Sequence, residues 1–86
     1  MKELVYPAVL YKDASTGWYT IQIKELDIVD EGQTVVEAYI KAKELLCAMV
    51  DCAIKFDCEI EGPSDFDEVY KSNSKKNIVL LVDALA

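Results

Sequence analysis

The sequence predicts an α+β domain, an antiparallel sheet of about four strands in the order β-β-β-α-β with one long helix packed on one face. Three stretches carry this reading. Residues 34–56 (TVVEAYIKAKELLCAMVDCAIKF) repeat apolar side chains at three-and-four spacing, as an amphipathic helix does. Ahead of them lie two runs rich in β-branched and aromatic residues, joined by a short turn. Behind them the sequence closes on Ile78-Val79-Leu80-Leu81-Val82, apolar without alternation. A length of 86 residues leaves room for one domain, covering 1–86.

Residues 4–12 (LVYPAVLYK) form the first strand, apolar on both faces apart from its end. Pro7 has no amide to give a sheet ladder, so the strand belongs at an edge, or Pro7 sits where the missing amide faces no neighbour. Residues 13–17 (DASTG) are a turn, in which Asp13 and Ser15 bond local backbone and Gly17 takes a positive φ. Residues 18–24 then alternate cleanly. Tyr19, Ile21 and Ile23 share one face, and Thr20, Gln22 and Lys24 the other. The two runs form an antiparallel hairpin, and Ile28-Val29 starts a third strand before Gly32 turns the chain into the helix.

Thr34 and Glu37 have the spacing of a capping box. The helix stripe expected to face the sheet is Val35, Ala38, Ala42, Leu45, Met49, Cys52 or Ala53, and Phe56. Past the helix, residues 57–68 hold six carboxylates and no lysine, broken by Gly62-Pro63. Ser64 is positioned to cap a short helix over 65–71, with Phe66, Val69 and Tyr70 facing inward. A polar loop over 72–77 leads to the final apolar run, which reads as a strand buried on both sides near the middle of the sheet.

Composition restricts the chemistry. Nine lysines, no arginine and sixteen carboxylates give a net charge of −7, which repels phosphate backbones and anionic membranes and favours a basic protein partner. Direct nucleic-acid binding and membrane binding are therefore not expected. With no histidine, one chain cannot build a Ser-His-Asp, Cys-His or imidazole-metal site. Gly17, Gly32 and Gly62 stand alone, so there is no phosphate-cradling loop. Cys47, Cys52 and Cys58 are odd in number and lack C-x-x-C spacing. They read as reduced thiols, and with no signal-like or membrane-spanning stretch in the sequence the expected place is the cytoplasm.

Carboxylates are the remaining catalytic material. Asp13, Asp27, Asp30, Asp51 and Asp83 could in principle gather around divalent metal ions, which keeps a metal-dependent nuclease as the alternative to a binding domain. Nothing in their spacing selects a metal, so no cofactor is expected. Tyr6, Tyr11, Trp18 and Tyr19 read as core or interface residues, because base stacking works together with a cationic groove.

Tyr6-Pro7-Ala8-Val9, Gly17-Trp18-Tyr19, Leu26, Gly32-Gln33-Thr34, Glu37-Ala38, Pro63-Ser64 and Val79-Leu80-Leu81-Val82-Asp83, in this order and spacing, resemble the HicB antitoxin family. The resemblance implies a truncated ribonuclease H-like fold and a non-enzymatic domain. It implies as partner a HicA-like toxin, a small basic ribonuclease whose active surface the antitoxin covers. Relatives often continue into an operator-binding domain, and these 86 residues read as the short HicB-like part alone. Where the family commonly has Pro-Asp-Leu-Pro-Gly-Cys, this sequence has Lys24-Glu25-Leu26-Asp27-Ile28-Val29, so the third strand and its turn are expected to differ. The expected partner-binding residues are the carboxylates of the acidic stretch, Asp57, Glu59, Glu61, Asp65, Asp67 and Glu68. A homo-oligomer, most simply a homodimer, is expected through an open sheet edge or the helix. An orphan that only self-associates is the third reading.

Overall fold

The computed structural model describes residues 3–73 and 77–85. Three strands come first, β1 (Glu3–Lys12), β2 (Tyr19–Ile23) and β3 (Ile28–Gly32). The long helix α1 (Val35–Lys55), the short helix α2 (Phe66–Asn73) and strand β4 (Ile78–Leu85) follow. The sheet is antiparallel throughout, in the order β3-β2-β1-β4. The predicted α+β class and element order are those of the molecule.

Alternation decides the two faces. Tyr6, Ala8 and Leu10 of β1, Ile21 and Ile23 of β2 and Val82 and Ala84 of β4 are buried with α1 in a single core. Pro7, Val9 and Tyr11 of β1 point to the opposite face, where α2 lies across β1 and β4. Pro7 is accommodated because the β1–β2 ladder starts only at Val9. At Pro7 the strand is paired on one side alone, with Leu81 of β4.

The turn into β2 is built as its residues dictate. Asp13 Oδ1 accepts from the Ser15 amide at 2.8 Å and from the Ser15 hydroxyl at 2.6 Å, and Gly17 takes φ +75°. Those bonds hold the Asp13 carboxyl below its ordinary value. After β2, Lys24–Leu26 form a 3-10 turn that ends on Asp27 in the left-handed region, φ 52°. This is the segment in which the sequence departs from the HicB pattern. Gly32 closes β3 under the start of α1, where a Cβ would come within 2.5 Å of the Ala38 amide nitrogen. Only glycine permits that approach.

Thr34 caps α1, its hydroxyl accepting from the Glu37 amide at 3.1 Å. The reciprocal half of the capping box is replaced. Glu37 turns its carboxylate forward to Lys41, 3.5 Å away, one helical turn on.

Three expectations are corrected. The sheet-facing row of α1 is Ala38, Ala42, Leu46 and Val50, whereas Leu45 (40% exposed), Met49 (37%) and Phe56 (64%) lie on the surface. Both rows are apolar, and the twist of the sheet, absent from the local sequence, selects the i+4 row. Next, β4 is an edge strand rather than a central one. Its apolar run has one face under α1, and on the other Leu81 is 49% exposed. Finally, α2 starts one residue later than expected. Asp65, not Ser64, caps it, with Oδ1 accepting from the Asp67 amide at 2.9 Å.

Candidate partner-binding surface

The acidic stretch between α1 and α2 carries the chain around one end of the sheet, from the α1 face to the α2 face. Its course begins with a tight helix stop. The Cys58 amide bonds the Ala53 carbonyl at 2.8 Å and the Asp57 amide bonds the Ile54 carbonyl at 3.3 Å, with Asp57 at φ 52°. Next, the buried Tyr6 hydroxyl donates to the Glu61 carbonyl oxygen. Burial, with Glu25 and Glu61 nearby, pushes the Tyr6 phenol up from its ordinary value. The Ser64 amide then donates to Glu25 Oε2 at 3.0 Å, and Asp65 caps α2. The segment is thus fixed at four points, three of them through its own backbone.

This division assigns the six expected carboxylates to different work. Asp57 holds the left-handed position and Asp65 holds the helix cap. Glu59, Glu61, Asp67 and Glu68 are exposed and leave their side-chain oxygens to solvent. Asp67 and Glu68 also lie in the first turn of α2, where negative charge suits the helix dipole.

Two concavities border the stretch. A groove of about 390 Å³ lies on the α1 side, lined by Met49, Cys52, Phe56, Cys58, Glu59 and Ile60 among others. Its floor is apolar and Glu59 is on its rim. On the α2 side a cleft of about 630 Å³ separates the helix from the open sheet face, with Val9, Tyr11, Lys24, Glu25 and Glu68 among its lining residues. The apolar groove has no counterpart in the sequence reading, which places Met49 and Phe56 in the core. The available signal is that α1 carries more apolar rows than one sheet face can cover.

The carboxylates that could have served a metal are dispersed. Asp13 is tied to Ser15 in the first turn, Asp27 follows the 3-10 turn, Asp30 is on β3 and Asp51 faces outward on α1. Asp83 on β4 pairs with Lys43 of α1 at 2.9 Å. That bond lowers the Asp83 carboxyl and raises the Lys43 ammonium relative to their ordinary values. Among the described residues no three His, Cys, Asp or Glu side chains are grouped to hold a metal ion. No described helix is long and apolar enough to cross a membrane.

No protein-family model matches the sequence, and no curated protein matches it. Solved structures do match the fold. The N-terminal domain of Burkholderia pseudomallei antitoxin HicB aligns with a TM-score of 0.78 at 18% identity, over 92% of this chain and 95% of that one. A toxin-antitoxin complex from Streptococcus pneumoniae contains a chain that aligns at TM-score 0.77 and 21% identity, over 98% of this chain and 70% of that one. A second Burkholderia pseudomallei HicB structure gives 0.75 at 20% identity, with 95% of this chain covering 62% of it. Backbone and sequence resemblance therefore converge on one statement, that this chain has the fold of the HicB antitoxin N-terminal domain.

Proposed function

We propose that this domain is a HicB-like antitoxin that neutralises a small basic ribonuclease of the HicA kind by binding it, without chemistry of its own. One observation carries the reading. Four exposed carboxylates, Glu59, Glu61, Asp67 and Glu68, stand on a backbone fixed at four points; Glu59 borders an apolar groove containing Met49 and Phe56, and Glu68 borders the cleft on the α2 side. Acidic rims steer and orient a cationic partner, and apolar floors supply the affinity. The antitoxin fold and the toxin-antitoxin complex among its structural neighbours support the same role. Three free cysteines, two of them exposed, suit a reducing compartment and so a cytoplasmic site of action.

The test is capture of host proteins at low salt on the wild type and on a Glu59→Lys, Glu61→Lys, Glu68→Lys variant. The wild type should retain a small basic ribonuclease, release it as salt rises, and suppress its RNA cleavage when added back. The triple variant should bind it at least about tenfold more weakly while keeping its helical spectrum. Failure to retain a ribonuclease, or equal retention by the variant, would overturn the proposal.

A further inference from the structure

The apolar groove beside the acidic stretch has two walls. Met49, Cys52 and Phe56 at the end of α1 belong to one, and Cys58, Glu59 and Ile60 of the outgoing chain belong to the other. Each wall therefore carries one cysteine, and both thiols are free and exposed. Cys47 takes no part in this groove. Five residues at about 100° each set it roughly 140° around α1 from Cys52, and it packs against the core.

The helix stop turns the second wall toward the first. The Cys58 amide on the Ala53 carbonyl and the Asp57 amide on the Ile54 carbonyl, with Asp57 left-handed, are the paired bonds of a Schellman stop. In such a stop the residue after the left-handed one folds back over the last turn of the helix, against the third and fourth residues before the cap. With Phe56 as cap, those residues are Ala53 and Cys52. The Cys58 thiol is also held in place, donating to the Phe56 carbonyl at 3.5 Å.

We propose that Cys52 and Cys58 are a redox pair whose disulfide, formed by a low-molecular-weight disulfide oxidant, closes the groove. The Cys52 thiolate attacks one sulfur of the oxidant, whose S–S bond breaks to release the first thiolate. The Cys58 thiolate then attacks the Cys52 sulfur of the mixed disulfide and expels the second. The two cysteines give up two protons and two electrons, the oxidant becomes two thiols, and excess thiol reverses both steps. In a reducing compartment the pair rests as dithiol and closes transiently. The bridge ties the outgoing chain to the last turn of α1, which shuts the apolar space between Met49, Phe56 and Ile60. The dithiol stands on the geometry of the helix stop, and its effect on a partner rests on the toxin-binding reading of this groove.

Treating the purified chain with oxidised glutathione should remove two of its three free thiols, and dithiothreitol should restore them. Tryptic cleavage at Lys43, Lys55 and Lys71 should then leave residues 44–55 and 56–71 joined by the bridge. Cys47→Ser should keep that joined pair, which assigns the bridge to Cys52, and Cys52→Ser or Cys58→Ser should abolish it. These readouts use the chain alone and are independent of any toxin. Toward the captured ribonuclease, the oxidised chain should bind about tenfold more weakly than the reduced chain, and Cys58→Ser should bind equally before and after treatment. Survival of all three thiols, a bridge through Cys47 or between two copies, or a bridged chain that binds the ribonuclease as well as the reduced one overturns the inference. Bridge formation in a chain that captures no ribonuclease supports the redox pair and overturns the toxin reading.

Discussion

Asp57 occupies a backbone position that belongs to glycine. At φ 52° its Cβ crowds the neighbouring carbonyl, a cost of roughly 1–2 kcal/mol that aspartate partly offsets through its short polar side chain. The helix stop needs that conformation, since the turn bonds from Asp57 and Cys58 depend on it. Asp57→Gly should therefore raise stability by up to about 1 kcal/mol, read as a higher urea midpoint at constant slope, and Asp57→Val should lower it. The sequence marks Asp57 only as one of six charges. A left-handed residue that is not glycine leaves no compositional trace, so its second role emerges from the dihedral angle. Asp65 is similar, because a Ser-Asp pair offers two caps and only the path of the chain chooses between them.

Among the elements, α1 shows both what the sequence specifies and where it stops. Its start is legible, because Thr34 and Glu37 are a local chemical signal that needs no partner. Its buried face is not. Ala38-Ala42-Leu46-Val50 and Ala42-Leu45-Met49-Phe56 are both apolar rows, and the choice belongs to the sheet. The consequence is measurable. Leu46→Ala should cost about 2–5 kcal/mol, as a fully buried leucine truncated in a core. Leu45→Ala should stay within about 1 kcal/mol, and a reversal of that order would turn the Leu45 row back toward the sheet. Strand β4 is legible as a strand and misplaced in the sheet for a related reason. An unbroken apolar run announces two apolar faces, and at this edge the second face is left half exposed. The acidic stretch stands out as a charge pattern, and the groove next to it becomes visible only once Met49 and Phe56 are known to lie outside the core.

For the whole molecule, ion pairing sets how stability follows pH. The Asp83 carboxyl is lowered and the Lys43 ammonium raised by their mutual hydrogen bond. The Asp83 contribution is complete above its ordinary 3.8 and disappears as pH falls through its depressed value. That of Lys43 is complete below its ordinary 10.5 and disappears as pH rises through its raised value. Thermal melts of the wild type and Asp83→Asn should accordingly differ at pH 7 and converge as acid takes the carboxyl through its depressed value, below 3.8. A gap that persists in acid would assign the effect of the substitution to packing instead of charge. Tyr6 adds to the alkaline side, since its phenol is raised and its neutral form is the one that bonds Glu61.

The pairing of β1 with β4 also sets a clock. The first half of β1, from Glu3 to Ala8, has β4 as its ladder partner, while β2 joins only from Val9 onward. The first strand of the domain to be synthesised must therefore wait for the last, on the order of ten seconds at roughly 5–20 residues per second. Throughout that interval Tyr6, Pro7 and Ala8 are without their neighbour, and the nascent chain presents an apolar segment to whatever meets it. Afterwards the order is reversed. Detaching β4 is enough to bare the first half of β1, so the lifetime of the domain among proteases is governed at that strand.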